Sequence, residues 1–150
     1  ENAYRNFPAK FSYKAEFVGV EAGQTIDFRG LKLSYAPTIH SIENLAVRVS
    51  DGAKSYCYSG DGQFTDETEK LYAGCELVIQ ETFLYDQKRD GHASIVDAID
   101  MANRRQVKVL ALTHMERDFR KNELPAIREQ ILANQPVKIL IPEPGNICEI

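Results

Sequence analysis

Glu76-Leu77-Val78-Ile79-Gln80-Glu81-Thr82, then Ser94 to Ala102, then Val107-Lys108-Val109-Leu110-Ala111-Leu112-Thr113-His114, is the stretch that decides the architecture. The apolar centre of the first segment, Leu77-Val78-Ile79, is too short for a helix and ends in polar residues, which predicts a buried strand over 76–80. From Ser94 onward Ile95, Ala98, Ile99 and Ala102 recur at helical spacing, so one helix face is apolar. Residues 107–112 predict the next strand. Strand, helix and strand of these lengths imply a right-handed crossover between parallel neighbours.

The same alternation extends outward. On the C-terminal side a helix starts at Asn122, tolerates Pro125 in its first turn and buries Leu124, Ile127 and Ile131. A last strand over 137–141 precedes the turn Pro142-Glu143-Pro144-Gly145. On the N-terminal side lie a strand over 55–59 and a short helix from Asp66, capped by Thr65 and closed by Gly74. Before residue 50 the pattern changes. Short strands at 14–20, 25–28, 31–35 and 45–49 are separated by Gly23, by Arg29-Gly30 and by a loop over 37–43, which reads as antiparallel. The predicted class is α/β: antiparallel strands over 14–50, then alternating strand and helix over 54–141, forming one domain or half of one.

The 150 residues are enough to bury about two-thirds of the unfolded surface. The net charge of −4, with Lys and Arg scattered, gives no broad face for phosphate neutralisation; RNA is not indicated by charge, though a small local patch is compatible with it. Three cysteines, Cys57, Cys75 and Cys148, without Cys-x-x-Cys spacing point to a reducing, cytoplasmic setting; Cys57 and Cys75 are placed on strands as small apolar residues. No run is apolar and long enough to span a bilayer, so no membrane partner is expected. The sequence opens Glu1-Asn2 without methionine, which reads as a processed, trimmed or fragmentary chain.

In a parallel sheet with helical crossovers, ligands bind beyond the carboxyl ends of the strands. Those ends carry Ser59-Gly60-Asp61-Gly62, Gln80-Glu81-Thr82 and Thr113-His114, with Gly91-His92 on the same edge and His40 in the preceding loop. Each has a plainer reading alone: Gly-Asp-Gly is a common tight turn, Glu81 a surface carboxylate, each histidine a loop residue. Together, Asp61, Glu81, His92 and His114 project from one edge, and imidazole with carboxylate suits zinc or another first-row metal.

Tyr58-Ser59-Gly60-Asp61-Gly62, Leu77 to Phe83, Gly91-His92-Ala93-Ser94 and Leu112-Thr113-His114-Met115-Glu116-Arg117 resemble, in order and spacing, the C-terminal motifs of the metallo-β-lactamase superfamily, most closely its ribonuclease Z and phosphodiesterase-like branch. Thr38 to Val49 resembles the segment that carries a histidine ahead of the Gly-Asp motif. The resemblance implies the C-terminal half of an αββα sandwich. It implies two divalent metal ions, zinc foremost with manganese or iron as alternatives. His40 would bind the first ion, Asp61 would bridge both and His114 would bind the second. Glu81 and His92 would position the scissile group or protonate its leaving group, and hydrolysis would proceed by a metal-activated hydroxide.

Two departures accompany it. Gly62 stands where the family has Thr or a similar residue, which predicts looser support for Asp61. The His-x-His-x-Asp-His motif is absent, leaving two protein ligands per ion where catalytic zinc takes about three. The expected partner is therefore the missing N-terminal half of the fold, or a second copy in a homodimer, covering an apolar sheet face; alone, the chain is expected to be inactive. The substrate class is a small molecule or phosphodiester. The alternatives are a thioester or lactone hydrolase of the same fold and a non-enzymatic binding or oligomerisation module.

Overall fold

The computed structural model describes residues 17–133, 135–148 and 150. The elements are β1 (Thr25–Phe28), β2 (Leu31–Pro37), β3 (Leu45–Ser50), β4 (Ser55–Tyr58), α1 (Asp66–Tyr72), β5 (Leu77–Glu81), α2 (Ile95–Arg104), β6 (Val109–Thr113), a π-helical turn (Phe119–Glu123), α3 (Leu124–Leu132) and β7 (Lys138–Leu140). All seven strands form one sheet in chain order. The pairings β1–β2, β2–β3 and β3–β4 are antiparallel; β4–β5, β5–β6 and β6–β7 are parallel. The change of regime thus falls at β4, as the sequence predicts.

Local chemistry explains the boundaries. Thr65 forms a capping box with Thr68, and both hydroxyls donate to the Pro37 carbonyl, at 2.9 and 2.7 Å, pinning α1 to the end of β2. Beneath α1 the cross-strand pair Ala36 and Ala46 is buried, and its small side chains let the helix approach. Ser94 caps α2 by accepting from the Asp97 N–H at 3.0 Å. The predicted apolar face of α2 is buried throughout.

Besides shifts of one or two residues at strand ends, several placements differ from expectation. Of the strand expected over 14–20, residues 14–16 lie outside the described residues and 17–20 have no regular structure. Cys75 is buried but sits in the turn before β5. The last helix begins at Leu124, and Asn122 belongs to a π-helical turn in which the Leu124 N–H donates to the Phe119 carbonyl five residues back. Pro125 has no N–H to give and so cannot serve an ordinary turn there, while it suits the first turn of α3. Ile127 is only half-buried, whereas Leu124 and Ile131 are in the core.

The two sheet faces differ. Ser55, Cys57, Val78, Gln80, Leu110 and Leu112 point into the buried cluster that includes Tyr72, Ile95, Met101, Phe119 and Ile131. On the other face, strand register aligns two apolar rows across the sheet. One runs Ile26, Leu33, Val49, Tyr56, Leu77, Val109; the other runs Tyr35, Val47, Tyr58, Ile79, Ala111, Leu140. Tyr56 and Tyr58 are exposed and most of the rest are half-buried, the open apolar face that the sequence predicts. Among the described residues no helix is long and apolar enough to cross a membrane.

Candidate metal centre

The carboxyl ends of β4, β5 and β6 converge on one point. Asp61 sits in the turn after β4, Glu81 is the last residue of β5, and His114 follows β6. His92 stands two residues before the cap of α2, joined to Arg89 by an isolated bridge. Asp61, Glu81, His92 and His114 each offer a donor atom, and these atoms lie within 4.8 Å of one another. His40, in the loop between β2 and β3, reaches the same point from the antiparallel side. All five residues singled out from sequence meet there.

Asp61 is approached from two sides. His114 Nδ1 is 3.1 Å from Oδ1, and His40 Nε2 is 3.7 Å from Oδ2. Each carboxylate oxygen therefore faces its own imidazole. His92 Nδ1 is 3.1 Å from Glu81 Oε2, and His114 Nδ1 is 3.9 Å from the same oxygen. The Ala93 N–H donates to Glu81 Oε1 at 2.7 Å. Glu81 is fully buried, and burial pushes its carboxyl above the ordinary range against the pull of the Ala93 N–H and of His92. Phe83 stacks on His92 at 4.7 Å between ring centroids, and His92 stacks on His114 at 5.7 Å. His114 itself has φ of +59°, a left-handed conformation that histidine adopts more readily than most residues but that still costs about 1 kcal/mol.

The residues fit a divalent cation. His40 Nδ1 and Asp61 Oδ1 are buried without a hydrogen bond, although Asp61 Oδ1 has His114 Nδ1 close by. An acceptor in that position is satisfied by a cation lying between it and its neighbours. The donor set of imidazole nitrogens and carboxylate oxygens is that of zinc, manganese or iron sites. Glu81 behind His92 has the geometry by which an outer carboxylate orients an imidazole.

The support around Asp61 differs from the sequence expectation. A side chain at position 62 would not tighten the turn: a Cβ there would lie 2.9 Å from the Ile39 carbonyl and closer still to the Thr38 hydroxyl. The space is occupied from the other side, by the loop that carries His40. Ile39 and Gln63 exchange backbone hydrogen bonds at 2.8 and 3.0 Å, and the Gln63 N–H also donates to Gly91 at 3.2 Å. The Ser59 hydroxyl accepts from the Glu81 N–H at 2.9 Å, joining the ends of β4 and β5. Thr38, Asn44, Ser59 and Phe83 were not predicted as site residues. They lie within the motif segments, and only that position could have flagged them, since the contacts of Asn44 with Ser59 and of Ser59 with Glu81 join residues 15 and 22 apart.

Residues 1–115 match the family described as the Beta-lactamase superfamily domain. Ribonuclease Z of Methanothermobacter thermautotrophicus is 30% identical over 118 residues, which are 74% of this chain and 38% of that protein. YhfI of Bacillus subtilis is 25% identical over 111 residues, 71% of this chain and 46% of that protein. The chain thus spans less than half the length of these two curated relatives. The crystal structure of YhfI, described as a metallo-beta-lactamase fold protein, superposes with a TM-score of 0.74 and 21% identity over 88% of this chain and 55% of that one. Human tRNase Z, short form, gives a TM-score of 0.60 and 22% identity over 79% of this chain and 41% of that one.

Proposed function

This chain belongs to the β-lactamase superfamily domain family, and from that premise we propose that it carries part of a dinuclear metal-dependent phosphodiesterase centre. The observation that carries the reading is the two-sided approach to Asp61, with His114 against one carboxylate oxygen and His40 against the other. In this reading His40 would hold one divalent ion and His114 a second, and Asp61 would serve as a ligand to both. Bound there, the ions supply Lewis-acid polarisation of the substrate oxygen and lower the pKa of water toward neutrality.

The remaining chemistry belongs to the chain. His92 turns Nδ1 toward Glu81, which leaves Nε2 as the ring nitrogen able to meet a substrate oxygen. Glu81, fixed by the Ala93 N–H, orients that ring, so that Nε2 of His92 can serve as the proton donor to a leaving alkoxide. The stacked Phe83 ring keeps His92 in its plane and shields it from water on one side. A thiolate leaves from a thioester without such a proton donor, whereas an alkoxide does not, which favours an oxygen ester, the phosphodiester foremost, over a thioester.

Two ligands per ion fall short of the three or so that a catalytic site uses. We therefore assign the remaining ligands to sequence outside these 150 residues, with the chain inactive by itself. The test is metal content and turnover of bis(p-nitrophenyl) phosphate, for this chain and for the chain extended to the length of its relatives. The longer protein should hold about two ions and turn over; Asp61→Ala should lower both by more than about a hundredfold, above the range for residues outside the ligand shell. A longer protein without metal overturns the reading. Thioester cleavage without diester cleavage replaces the substrate class.

A further inference from the structure

We propose that Asn44 is the positioning residue that fixes His40 against Asp61, and this rests on the metal-centre reading above. His40 is the one predicted ligand that does not come from the parallel part of the sheet. Its loop has to be held against the Gly60-Asp61-Gly62 turn by something, and backbone pairing of Ile39 with Gln63 anchors only one side of it.

Asn44 anchors the other side with both ends of its amide. Nδ2 donates to the Ser59 carbonyl at 3.2 Å and also to the Thr38 hydroxyl. Oδ1 accepts from the Asp61 N–H at 3.4 Å. The Asn44 carbonyl accepts from the Thr38 N–H at 3.1 Å and from its hydroxyl at 3.3 Å, closing the loop of which His40 is the third residue. Ser59 in turn receives the Glu81 N–H on its hydroxyl. One side chain is thereby tied to the His40 loop, to the backbone of Asp61 and, through Ser59, to Glu81.

Two features show that the position is built for an amide. A Cβ at residue 60 would stand 2.5 Å from Asn44 Oδ1 and 2.7 Å from Nδ2, so the glycine is required by the seat of Asn44 as well as by its φ of +68°. The seat also needs a donor facing the Ser59 carbonyl and an acceptor facing the Asp61 N–H, which an amide of this length provides. Aspartate keeps the acceptor and loses the donor; leucine keeps the bulk and loses both.

The experiment uses the intact protein with Mn²⁺ as the probe, measured by calorimetry, together with metal-free crystal structures of wild type, Asn44→Ala and Asn44→Asp. Outer groups that orient ligands are worth about 10- to 100-fold in metal affinity. Asn44→Ala should weaken Mn²⁺ at least about tenfold, and Asn44→Asp, which keeps the side chain's shape, should weaken it too, with His40 drawn away from Asp61 in both structures. Unchanged Mn²⁺ affinity in the two variants, or a lowered melting temperature alone, overturns the proposal. If wild type binds no Mn²⁺, the metal reading fails on its own, and the metal-free structures decide: His40 displaced from Asp61 supports the positioning role, and His40 unmoved overturns it.

Discussion

The antiparallel region β1–β3 and the parallel region β4–β7 belong to one sheet but are held by different means. In β1–β3 the buried apolar residues are the alanines 36 and 46, and the remaining side chains are half-buried or exposed. In β5 and β6 one face is closed over the core, with Val78, Leu110 and Leu112 almost wholly buried, and the other belongs to the open apolar face. The contribution to the site follows the same division. The parallel region delivers Asp61, Glu81, His92 and His114 from strand ends and crossover starts, where the hydrogen-bond ladder fixes the backbone. The antiparallel region delivers only His40, from a loop that needs side-chain contacts to hold it. Rigid placement comes with the ladder; outside it, placement needs a dedicated residue.

The largest difference between the regions should appear in packing. Leu110→Ala should cost about 2–5 kcal/mol, because a buried leucine leaves a cavity behind. Leu33→Ala, on the open face, should cost only about 1 kcal/mol, near half of the transfer value of a fully buried leucine. Urea melts of this chain measure both, and equal losses would mean that the two regions are packed alike.

A smaller effect tests the link between them. Thr65 caps α1 and also donates to Pro37 at the end of β2. Thr65→Ala should destabilise the chain by about 1–2 kcal/mol, at the upper end of the capping range because two contacts go together. A loss near zero would show α1 to be held by its buried face alone.

The smallest expected effect is a pH dependence. Burial raises the Glu81 carboxyl in the folded chain, so the native state binds its proton more tightly than the unfolded state does. That contribution is fully present below the ordinary glutamate value of about 4.3 and is lost as pH rises through the raised folded value. In metal-free protein, the stability of wild type relative to Glu81→Gln should therefore fall as pH rises from that point and then level off. A difference that stays flat, or grows, would mean that His92 and the Ala93 N–H outweigh burial.

Much of this was readable in the sequence where the cause is local. The strand at 76–80, the caps at Thr65 and Ser94, the apolar stripe of α2 and the change from antiparallel to alternating pattern all follow from spacing within a few residues. The convergence of Asp61, Glu81, His92 and His114 followed from one general rule, that parallel strands present their carboxyl ends together. The rest depended on distance in sequence. Gly62 read as a weakness because its neighbours Thr38 and Ile39 lie more than twenty residues earlier. Asn44 carries no local signal of its role because its partner carbonyl belongs to Ser59. The π-helical turn before α3 was missed because Pro125 admits an ordinary helix start from the sequence side.

Among the described residues strand order in this sheet is the order of the chain, and each strand pairs with its predecessor and successor. A sheet of this kind can grow at one edge as a polypeptide leaves the ribosome, with no finished pair having to reopen for a later strand. The five site residues are delivered in the same sequence: His40 first, then Asp61 and Glu81, His92 on the way to α2, and His114 only when β6 has docked. Until β6 has docked, this cluster of five is thus one imidazole short, and the strand that completes it is one that pairs with β5 along its whole length.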